Sequence, residues 1–589
     1  MTVEDSQPID GNKYHKVIAL ALKVKNLVDG SPYLTLALFG MFVALPLLIL
    51  GLPLMGDDTL YHGLYYKNFS EQLWSGEMYP RWLYKINAGF GGPTMFYYPP
   101  AAYYITSIFW LLPLAPLHQL GLGSALAIVL AGWSARLWLR QLTTSGVATA
   151  AAALYMLLPY PVAHDAYSRG AVAELFTFIW MPLILYFVVR ISRGDRLAPI
   201  GLAVSYGLLC TTHLPTTLMF SIVPVLYSVL QAYGAKRLKV LATTVASMAL
   251  GVGLAAVYIL PAMAYQDYVF MNEMREGPFW FGGYLIGWQL DLFGNMKYFW
   301  MVLDLGLVCV VSYLIAVFSL KGKDRREINF WGAIAVAAIF MTLGISKPIW
   351  EAIPVLQKVQ FPWRFNTVAS VASLPLIALC ISLIRGSSKW ASGFAIVVTV
   401  YCVVSWTGQM VRVERDALFK PPEWWRPGQA ERMNMLGLDW HALWPKTVPF
   451  TEPDLDINVA TIPVVGSERA RAFVRDGNGQ VSVVSWYPRE VELQTNTESE
   501  ATVVVSQFYF PGWKAHIAGS NVALPVIPTP DLGLVSINVP PGVRYVKLTL
   551  VEMWPELIGE WLSALCALLT LGLFGRLVYL RKRPPPTAE

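Results

Sequence analysis

The sequence is poor in charged residues and in cysteine. Asp, Glu, Lys and Arg make up 14% of its 589 residues, whereas about 25% is usual in a soluble domain. The five cysteines lie in or beside apolar runs without disulfide or metal-ligand spacing, so they predict neither a disulfide framework nor a zinc module. No P-loop, dinucleotide-binding, HExxH or GxSxG motif lies in a supporting context. A cytoplasmic active site that uses nucleotides is therefore not expected.

Hydrophobic residues are abundant instead, at 55% of the chain with a mean hydropathy of +0.48. They recur in runs of about 20 residues, which is long enough to cross a bilayer. Clusters of Lys and Arg separate the runs and mark cytoplasmic loops. Alternation between the clusters predicts a polytopic α-helical membrane protein with about twelve spans and both ends cytoplasmic. The predicted spans are 33–54, 121–140, 146–162, 171–190, 198–211, 216–234, 240–262, 300–320, 328–346, 365–385, 390–409 and 556–579.

The apolar stretch Ala101–Leu117 does not fit this alternation, because counting it as a span would place Arg136 and Arg190 outside. We interpret it as an in-plane or re-entrant helix on the external face, with a membrane crossing as the alternative. Pro113, Pro116 and many aromatic residues are typical of an interfacial segment.

The predicted topology divides the chain into four parts in a cell membrane. They are a basic cytoplasmic N-terminus at 1–32, a transmembrane domain at 33–409 with an external loop at 55–120, an external domain at 410–555, and a last helix with a basic tail at 556–589. Short alternating runs in the external domain predict a small antiparallel β-sandwich. Its Trp486 and Trp513 are candidates for stacking on a substrate, with core packing as the alternative.

The first external loop opens with two acids, Asp57 and Asp58, followed by His62. Residues four apart share one helical face, and a carboxylate there can act as a general base toward a hydroxyl group. The alternative is a solvated helix cap. The loop then contains Arg81, Tyr97 and Tyr98 among dense glycines, prolines and aromatics, which indicates a compact ordered segment.

A second predicted loop, 163–170, carries His164, Asp165 and Arg169, with Glu174 in the span that follows. The positive-inside rule does not explain an arginine at an external helix end. Arg169 therefore requires an acidic partner or a bound phosphate, and the sequence leaves both open.

Two further polar positions lie at predicted helix ends. His213 stands at a break between two short spans, where it either lines a cavity or has a structural role. Gln360, Trp363 and Arg364 precede another span. Arg364 either binds an anion or extends to the lipid headgroups.

These motifs resemble a known family. Asp58 to His62, Gly76 to Trp82, Gly89 to Pro93 and Tyr97 to Pro100 are similar to the membrane proteins labelled "6-pyruvoyl-tetrahydropterin synthase-related". The run Phe508–Ala515 resembles the end of YfhO-like membrane proteins. The overall layout resembles the GT-C superfamily of glycosyltransferases, which use polyprenyl-phosphate sugars. Despite the label, no His-rich zinc site indicates pterin chemistry.

The resemblance implies roles for residues of this chain. Asp58 would be the catalytic base of an inverting transfer, with Asp57 as the substitute. Arg169, Arg364, His213 and Arg81 would bind the donor phosphate. The remaining pocket residues would be His62, Tyr97, Tyr98, His164, Asp165, Glu174, Gln360 and Trp363. A divalent metal ion such as Mg²⁺ or Mn²⁺ stays open, with Asp57, Asp58 and His62 as its ligands.

Two functions follow from this reading. The first is a glycosyltransferase that moves a sugar from a polyprenyl-phosphate donor to a glycan, lipid or protein acceptor outside the cytoplasm. The second is a transporter or flippase of a lipid-linked glycan, which should show paired half-repeats and charges at the membrane midplane. The charges gather on one face and no repeat is visible, which favours the enzyme. No nucleic-acid partner is predicted.

Overall fold

The computed structural model of the chain describes residues 30–54, 56–234, 236–270, 280–287, 306, 308–315, 317–318, 321–384, 389–419, 445–448, 464–465, 468–520 and 522–582. Helices make up the part before residue 420, and strands make up most of the part from 464 to 550. A final long helix follows the strands. The predicted order of a helical membrane domain, a β-rich domain and a last helix is present in these residues.

Most of the helical part consists of apolar α-helices separated by short turns. The α-helices are Pro32–Val43, Leu45–Leu50, Thr59–Trp74, Thr94–Tyr97, Ala101–Thr106, Pro116–Leu139, Ser145–Tyr155, Val172–Ser192, Ala198–Thr212, Leu214–Phe220, Ile222–Gln231, Lys236–Leu254, Ala256–Ala264, Gly322–Phe340, Lys347–Ala352, Phe365–Ile384, Lys389–Phe419 and Trp554–Lys582. A π-helix covers Pro159–Arg169, and short 3-10 helices cover Asn87–Gly89, Ser107–Leu111, Gln266–Tyr268, Phe281–Tyr284, Gly344–Ser346, Pro354–Val359 and Pro362–Arg364.

Seven helical segments of the described chain are long and apolar enough to cross a membrane. They are Pro116–Leu139, Ser145–Arg169, Val172–Ser192, Leu214–Gln231, Lys236–Leu254, Pro362–Leu383 and Trp554–Arg581. Shorter apolar helices cover Pro32–Val43, Ala101–Leu111, Ala198–Thr212 and Ile396–Val411. The total of about twelve spans stays a prediction, since most of the predicted span 300–320 lies outside the described residues.

Arg136 and Arg193, from two of the predicted cytoplasmic clusters, lie at the same end of the helices. Helix Pro116–Leu139 begins beside Leu52, whose N–H donates to the carbonyl of Leu117 (2.9 Å). It ends near Arg136, which donates to Ser145 (3.0 Å) on the next helix. At the same end, Arg193 donates to the carbonyl of Gln141 (2.9 Å). Asp58 and Arg169 lie at the opposite end of these helices.

The stretch Ala101–Leu117 is not a continuous helix. It forms the α-helix Ala101–Thr106 and the 3-10 turn Ser107–Leu111, and a new helix begins at Pro116. The first two pieces together cover less than about 20 Å, against the roughly 30 Å of a bilayer core. This length favours the predicted in-plane or re-entrant arrangement over a crossing.

The predicted external loop 163–170 is wrong in one respect: its residues up to Arg169 end the π-helix Pro159–Arg169, which is buried along its whole length. The alternation of the basic clusters predicted a short loop there, but its charged residues lie inside the protein. They are buried because Asp165 and Arg169 pair with each other (2.8 Å), and a paired charge can leave water. The predicted break at His213 is confirmed, since extended backbone (φ −160°, ψ 103°) separates two helices there.

The C-terminal strands form two antiparallel sheets, as expected of a β-sandwich. The strands are β1 Val464–Val465, β2 Glu468–Arg469, β3 Ala472–Asp476, β4 Gly479–Tyr487, β5 Glu490–Thr497, β6 Ala501–Phe508, β7 Trp513–Ile517, β8 Ala523–Leu524, β9 Val526–Pro528, β10 Leu534–Val539 and β11 Gly542–Leu550. One sheet has the order β3-β6-β10-β9 and the other β4-β5-β11-β7-β8, beside a separate β1-β2 pair. The predicted domain start at 410 falls inside helix Lys389–Phe419, and most of 420–463 lies outside the described residues.

The first loop packs directly on this β domain. Trp82 donates its indole N–H to Oε1 of Gln507 (2.8 Å), and the N–H of Phe508 donates to the carbonyl of Phe90 (2.7 Å). Trp513 is buried and meets Trp82 edge-on, with ring centroids 6.2 Å apart. Core packing, the alternative to substrate stacking, therefore accounts for Trp513. The half-buried Trp486 lies under the guanidinium of Arg471, 5.7 Å from the ring centroid.

Candidate functional site

Asp58 stands at the start of helix Thr59–Trp74 and faces Arg169. Its side chain makes no capping hydrogen bond, so the helix-cap alternative does not account for it. Instead Oδ2 accepts a bond from Nη2 of Arg169 (3.0 Å), with 39% of the Asp58 side chain exposed and 6% of the Arg169 side chain. The pair therefore joins a half-exposed carboxylate to a buried guanidinium.

Two glycines allow the Asp58 segment to approach Arg169. Gly170 has a positive φ of +68°, and a Cβ there would lie 2.1 Å from Oγ1 of Thr59. A Cβ on Gly56 would lie 2.7 Å from the carbonyl oxygen of Arg169. Glycine is the residue that tolerates both the backbone angle and the close contact.

Arg169 joins two further carboxylates in the interior. Its Nη1 donates to Oδ1 of Asp165 (2.8 Å) and to Oε2 of Glu174 (2.9 Å), and both acids are buried. Oε1 of Glu174 accepts bonds from the hydroxyl groups of Tyr160 (2.9 Å) and Thr367 (2.8 Å). Of the two explanations for Arg169, the acidic partner is present. A buried guanidinium on three carboxylates can also bind an anion if one carboxylate moves away.

Arg364 approaches the same acid from another helix end. Its Nε lies 3.7 Å from Oε2 of Glu174, and its Nη1 donates to the carbonyl of Val359 (2.8 Å). The side chain is 13% exposed, which is too buried for the headgroup alternative. The group now contains the acids Asp58, Asp165 and Glu174 and two guanidinium groups.

A strained turn precedes Arg364. Gln360 has φ +73° and ψ −57°, and the N–H of Phe361 donates to the carbonyl of Val359 (2.9 Å). This is a γ-turn with positive φ at its centre, a rare conformation in proteins. The ring of Phe361 stacks on Trp363 with centroids 4.3 Å apart, and Arg364 lies over the Phe361 ring at 5.0 Å. Gln360 and Trp363 therefore position Arg364 from its N-terminal side.

His213 borders this group at the helix break. Its Nδ1 lies 2.8 Å from Oγ1 of Thr216. The imidazole is buried and interacts electrostatically with Glu174, Arg364 and Arg169. The structure thus brings His213 to the same place as the two arginines.

The rings of His62 and Tyr98 meet edge-on, with centroids 5.8 Å apart, beside Asp58. Nδ1 of His62 lies 2.7 Å from the hydroxyl oxygen of Tyr103, and Nε2 lies 3.5 Å from that of Tyr98. Burial lowers the pKa of His62 to about 4, and the charge of Arg169 lowers it further against the opposite effect of Asp58. His62 is therefore neutral at pH 7. Both Tyr98 and His62 interact electrostatically with Asp58 and Arg169.

Arg81 and Tyr97 lie in different surroundings. Arg81 pairs with Glu560 (2.9 Å) and Glu556 (3.4 Å) of the last helix, at a cluster where Arg489 also binds Glu556 (3.0 Å).

Tyr97 donates to the carbonyl of Tyr265 (2.7 Å) within the core under the β domain. The structure thus separates these two predicted site residues from the pair Asp58 and Arg169.

Asp57 is exposed next to Asp58. His164 is buried in the π-helix, and its ring centroid lies 6.4 Å from that of Tyr160.

In the part of the chain that the structure describes, no group of three His, Cys, Asp or Glu side chains could hold a metal ion. The donor set Asp57, Asp58 and His62 does not fit one either, because Asp58 binds Arg169 and both His62 nitrogens face tyrosine hydroxyls.

Sequence reasoning missed Tyr160 and Thr367, which both bind Glu174. Tyr160 lies between two prolines, and Thr367 follows Asn366 at the start of an apolar span. Polar residues in the first turn of a membrane helix were the available signal.

Comparisons with known proteins place the sequence in one family. Residues 95–412 match the family described as "6-pyruvoyl-tetrahydropterin synthase related domain; membrane protein". No curated protein matches the chain.

Two solved structures show a distant likeness. The oligosaccharyltransferase AglB from Archaeoglobus fulgidus, in complex with an inhibitory peptide and a dolichol-phosphate, is 15% identical with a TM-score of 0.42, over 72% of this chain and 62% of that one. The arabinofuranosyltransferase AftD from Mycobacteria is 16% identical with a TM-score of 0.40, over 64% of this chain and 27% of that one. The chain spans less than two thirds of the length of either protein.

Proposed function

The chain belongs to the 6-pyruvoyl-tetrahydropterin synthase related family of membrane proteins, and we propose that it is a membrane glycosyltransferase of the GT-C type. Its donor is a sugar on a polyprenyl phosphate. Its acceptor is a hydroxyl group of a glycan, lipid or protein on the extracytoplasmic face. Asp58 is the general base, and Arg169 and Arg364 bind the donor phosphate.

One observation carries this proposal: Asp58, with 39% of its side chain exposed, bonds a guanidinium whose own side chain is 6% exposed. Transfer from a phosphate carrier needs a base open to the acceptor and a cation beside the leaving group. Asp58 supplies the base and Arg169 supplies the cation, and one hydrogen bond (3.0 Å) joins the two side chains.

The reaction balances with these groups. Asp58 takes the proton of the acceptor hydroxyl, whose oxygen bonds to the anomeric carbon of the sugar. The bond from that carbon to the phosphate oxygen breaks, and the electron pair leaves with the polyprenyl phosphate. The guanidinium groups of Arg169 and Arg364 stabilise the negative charge on this leaving group. No metal ion enters these steps.

The arrangement of the helices supports an extracytoplasmic site. Asp58 and Arg169 lie at the end of the helices opposite Arg136 and Arg193. Because basic residues concentrate on the cytoplasmic side, the end with Asp58 is assigned to the other side. Nucleotide sugars are normally absent there, so the donor must be an activated sugar on a lipid.

The proposal is tested by transfer of a radiolabelled sugar from polyprenyl-phosphate donors by the purified chain in detergent. Asp58→Asn keeps the shape and the backbone bond but removes the base, so the rate should fall about a hundredfold to ten-thousandfold. Asp531→Asn is the matched control, because Asp531 also pairs with an arginine, Arg475, at 2.8 Å with 39% of its side chain exposed. This variant, in the β domain, should keep the wild-type rate.

Full transfer by Asp58→Asn would exclude Asp58 as the base. If the double variant Asp57→Asn/Asp58→Asn also transfers at the wild-type rate, the enzyme mechanism is wrong. A wild-type chain that binds the donor and moves it across vesicles but transfers no sugar would support the transporter instead.

A further inference from the structure

Five side chains in the two stretches of chain that contain Arg169 and Arg364 carry buried polar atoms that have no hydrogen-bond partner among the residues that the structure describes. The atoms are Oδ2 of Asp165, Oγ of Ser168, Nε2 of Gln360, Nε of Arg364 and both amide atoms of Asn366. Four of these residues are at least nine-tenths buried: Asp165 is 0% exposed, Ser168 9%, Gln360 9% and Asn366 0%. The set falls into the segments 165–168 and 360–366.

Glu174 accepts a hydrogen bond from the residue that follows each of these two segments. Arg169, the residue after Ser168, bonds Oε2 of Glu174 (2.9 Å). Thr367, the residue after Asn366, bonds Oε1 of the same carboxylate (2.8 Å). The π-helix also packs against helix Phe365–Ile384. The two segments that carry the unpaired atoms therefore meet at Glu174, which is buried behind the pair Asp58 and Arg169.

Leaving such atoms unpaired is costly. A buried polar group without a partner destabilises a fold, and native proteins keep few of them. Gln360 adds a positive φ of +73° in a non-glycine residue. Strain and unpaired groups persist mainly where a site uses them. These atoms therefore indicate a position for polar groups from outside the protein.

The mixture of donors and acceptors identifies the chemistry. Gln360 and Arg364 present N–H donors, and the amide of Asn366 presents both a donor and an acceptor. A phosphate diester only accepts hydrogen bonds, so it cannot satisfy the amide oxygen of Asn366. A hydroxyl group both donates and accepts, so several adjacent hydroxyl groups match the set.

We infer that Asp165, Ser168, Gln360 and Asn366 form a subsite for the hydroxyl groups of the donor sugar. This inference rests on the proposed function and separates the sugar from the phosphate. The phosphate binds Arg169 and Arg364, and the sugar attached to it binds toward Asp165 and Asn366. The ligand class is a polyhydroxylated ring attached to the lipid phosphate.

The test compares lipids with and without a sugar. The purified full chain in detergent is titrated with polyprenyl phosphate and with polyprenyl-phosphate mannose, glucose and arabinofuranose. The variants are Asn366→Leu and Gln360→Met, which keep the side-chain volume and remove the polar atoms. The control is Ser373→Ala, because Ser373 is buried on the same helix as Asn366 and donates only to the carbonyl of Ser370 (2.8 Å) among the described residues.

Wild-type protein should bind at least one sugar-bearing lipid more tightly than polyprenyl phosphate. Each variant should lose about tenfold in affinity for that lipid and keep its affinity for polyprenyl phosphate. Because the Asn366 amide makes no bond to the described residues of the ligand-free chain, Asn366→Leu should not lower the Tm measured without lipid. Ser373→Ala should bind both lipids like the wild type.

Two results would overturn the subsite. One is equal affinity of the wild type for all four lipids, which would remove the sugar subsite and leave the phosphate site in place. The other is an equal loss for both kinds of lipid with a lowered Tm, which would make Asn366 and Gln360 structural. If the wild type binds none of the four lipids, the proposed function itself is wrong and the subsite with it.

Discussion

Asp58 and Arg169 are joined twice: the backbone N–H of Asp58 donates to the Arg169 carbonyl (2.8 Å), and Nη2 of Arg169 donates to Oδ2 of Asp58 (3.0 Å). The backbone bond holds the two segments together whatever their side chains do. The side-chain bond occupies the nitrogen that a donor phosphate needs. A phosphate on Nη2 would therefore replace the carboxylate and release it toward the acceptor, which implies that the donor binds first.

Arg364 offers the clearest test of the phosphate site, because replacing Arg169 would leave the buried Asp165 without its cation. Arg364→Lys keeps a positive charge near Glu174 and loses the planar fork that binds phosphate through two bonds. We expect the affinity for polyprenyl phosphate to fall on the order of tenfold with little change in Tm. Titration of the purified variant in detergent measures both.

Arg475→Lys is the control, because Arg475 forms an exposed ion pair in the β domain. It should bind polyprenyl phosphate like the wild type. If Arg364→Gln, which removes the charge as well, keeps the full affinity, then Arg364 does not bind the donor phosphate.

The sequence predicted the members of the Arg169 group better than their arrangement. Asp165 lies four residues before Arg169, so their pairing (2.8 Å) follows from helical spacing even in the wider π-helix. Arg364 precedes a predicted span at its external end, where the positive-inside rule does not explain an arginine. Its approach to Glu174 could not be predicted, since 190 positions of chain separate the two (364 − 174).

Arg81 shows the limit of this reasoning. From sequence it resembles Arg169 and Arg364, because all three are arginines in predicted external segments. What distinguishes Arg81 is its position against Glu556 and Glu560 on the last helix. Pairing between the first loop and the chain end depends on tertiary packing, for which neither hydropathy nor local spacing carries a signal.

Gly170 should be intolerant of a side chain for two separable reasons. Its φ of +68° disfavours alanine, and the added Cβ would lie 2.1 Å from Oγ1 of Thr59. We expect Gly170→Ala to lower stability by about 2–4 kcal/mol, roughly 1 kcal/mol from the backbone and the rest from overpacking. The Tm of the purified variant in detergent reports the loss.

A double-variant cycle separates the two contributions. Gly194→Ala isolates the backbone part, since Gly194 has φ +81° and an added Cβ there would meet no described atom within 4 Å. Thr59→Ala/Gly170→Ala should recover most of the overpacking part and keep the backbone part. Equal losses in Gly170→Ala and Gly194→Ala would show that the contact with Thr59 costs nothing.

His62 predicts a pH dependence of stability. Its pKa is about 4 in the folded chain against 6.5 in the unfolded chain, because burial disfavours the charged imidazole. Protonation of His62 therefore favours unfolding. The contribution of neutral His62 to the free energy of unfolding is complete above pH 6.5. The contribution declines as pH falls from 6.5 toward 4, by on the order of 3 kcal/mol.

The comparison is between the wild type and His62→Gln at pH 7 and pH 5. The Tm of the wild type should fall more between these values than that of the variant, because glutamine does not titrate. Parallel decreases in the two proteins would assign the acid sensitivity to other groups and remove His62 as its source.

The orientation of the chain in the membrane can be tested at three exposed positions. Met78 is 80% exposed in the first loop, Tyr487 is 61% exposed in the β domain, and Tyr233 is 58% exposed beside the basic end of helix Lys236–Leu254. Single cysteines are introduced in a Cys566→Ala background, since the other four cysteines are buried. An impermeant thiol reagent should label Met78→Cys and Tyr487→Cys in intact cells.

Tyr233→Cys is the internal control and should react only after permeabilisation, because the positive charges near it mark the cytoplasmic side. The first loop contacts the β domain through Trp82 and Gln507, so Met78 and Tyr487 must report the same side. The reverse pattern, with Tyr233→Cys labelled in intact cells and the other two protected, would place Asp58 in the cytoplasm. A nucleotide sugar would then be within its reach, and the argument for a lipid-linked donor would lose its basis.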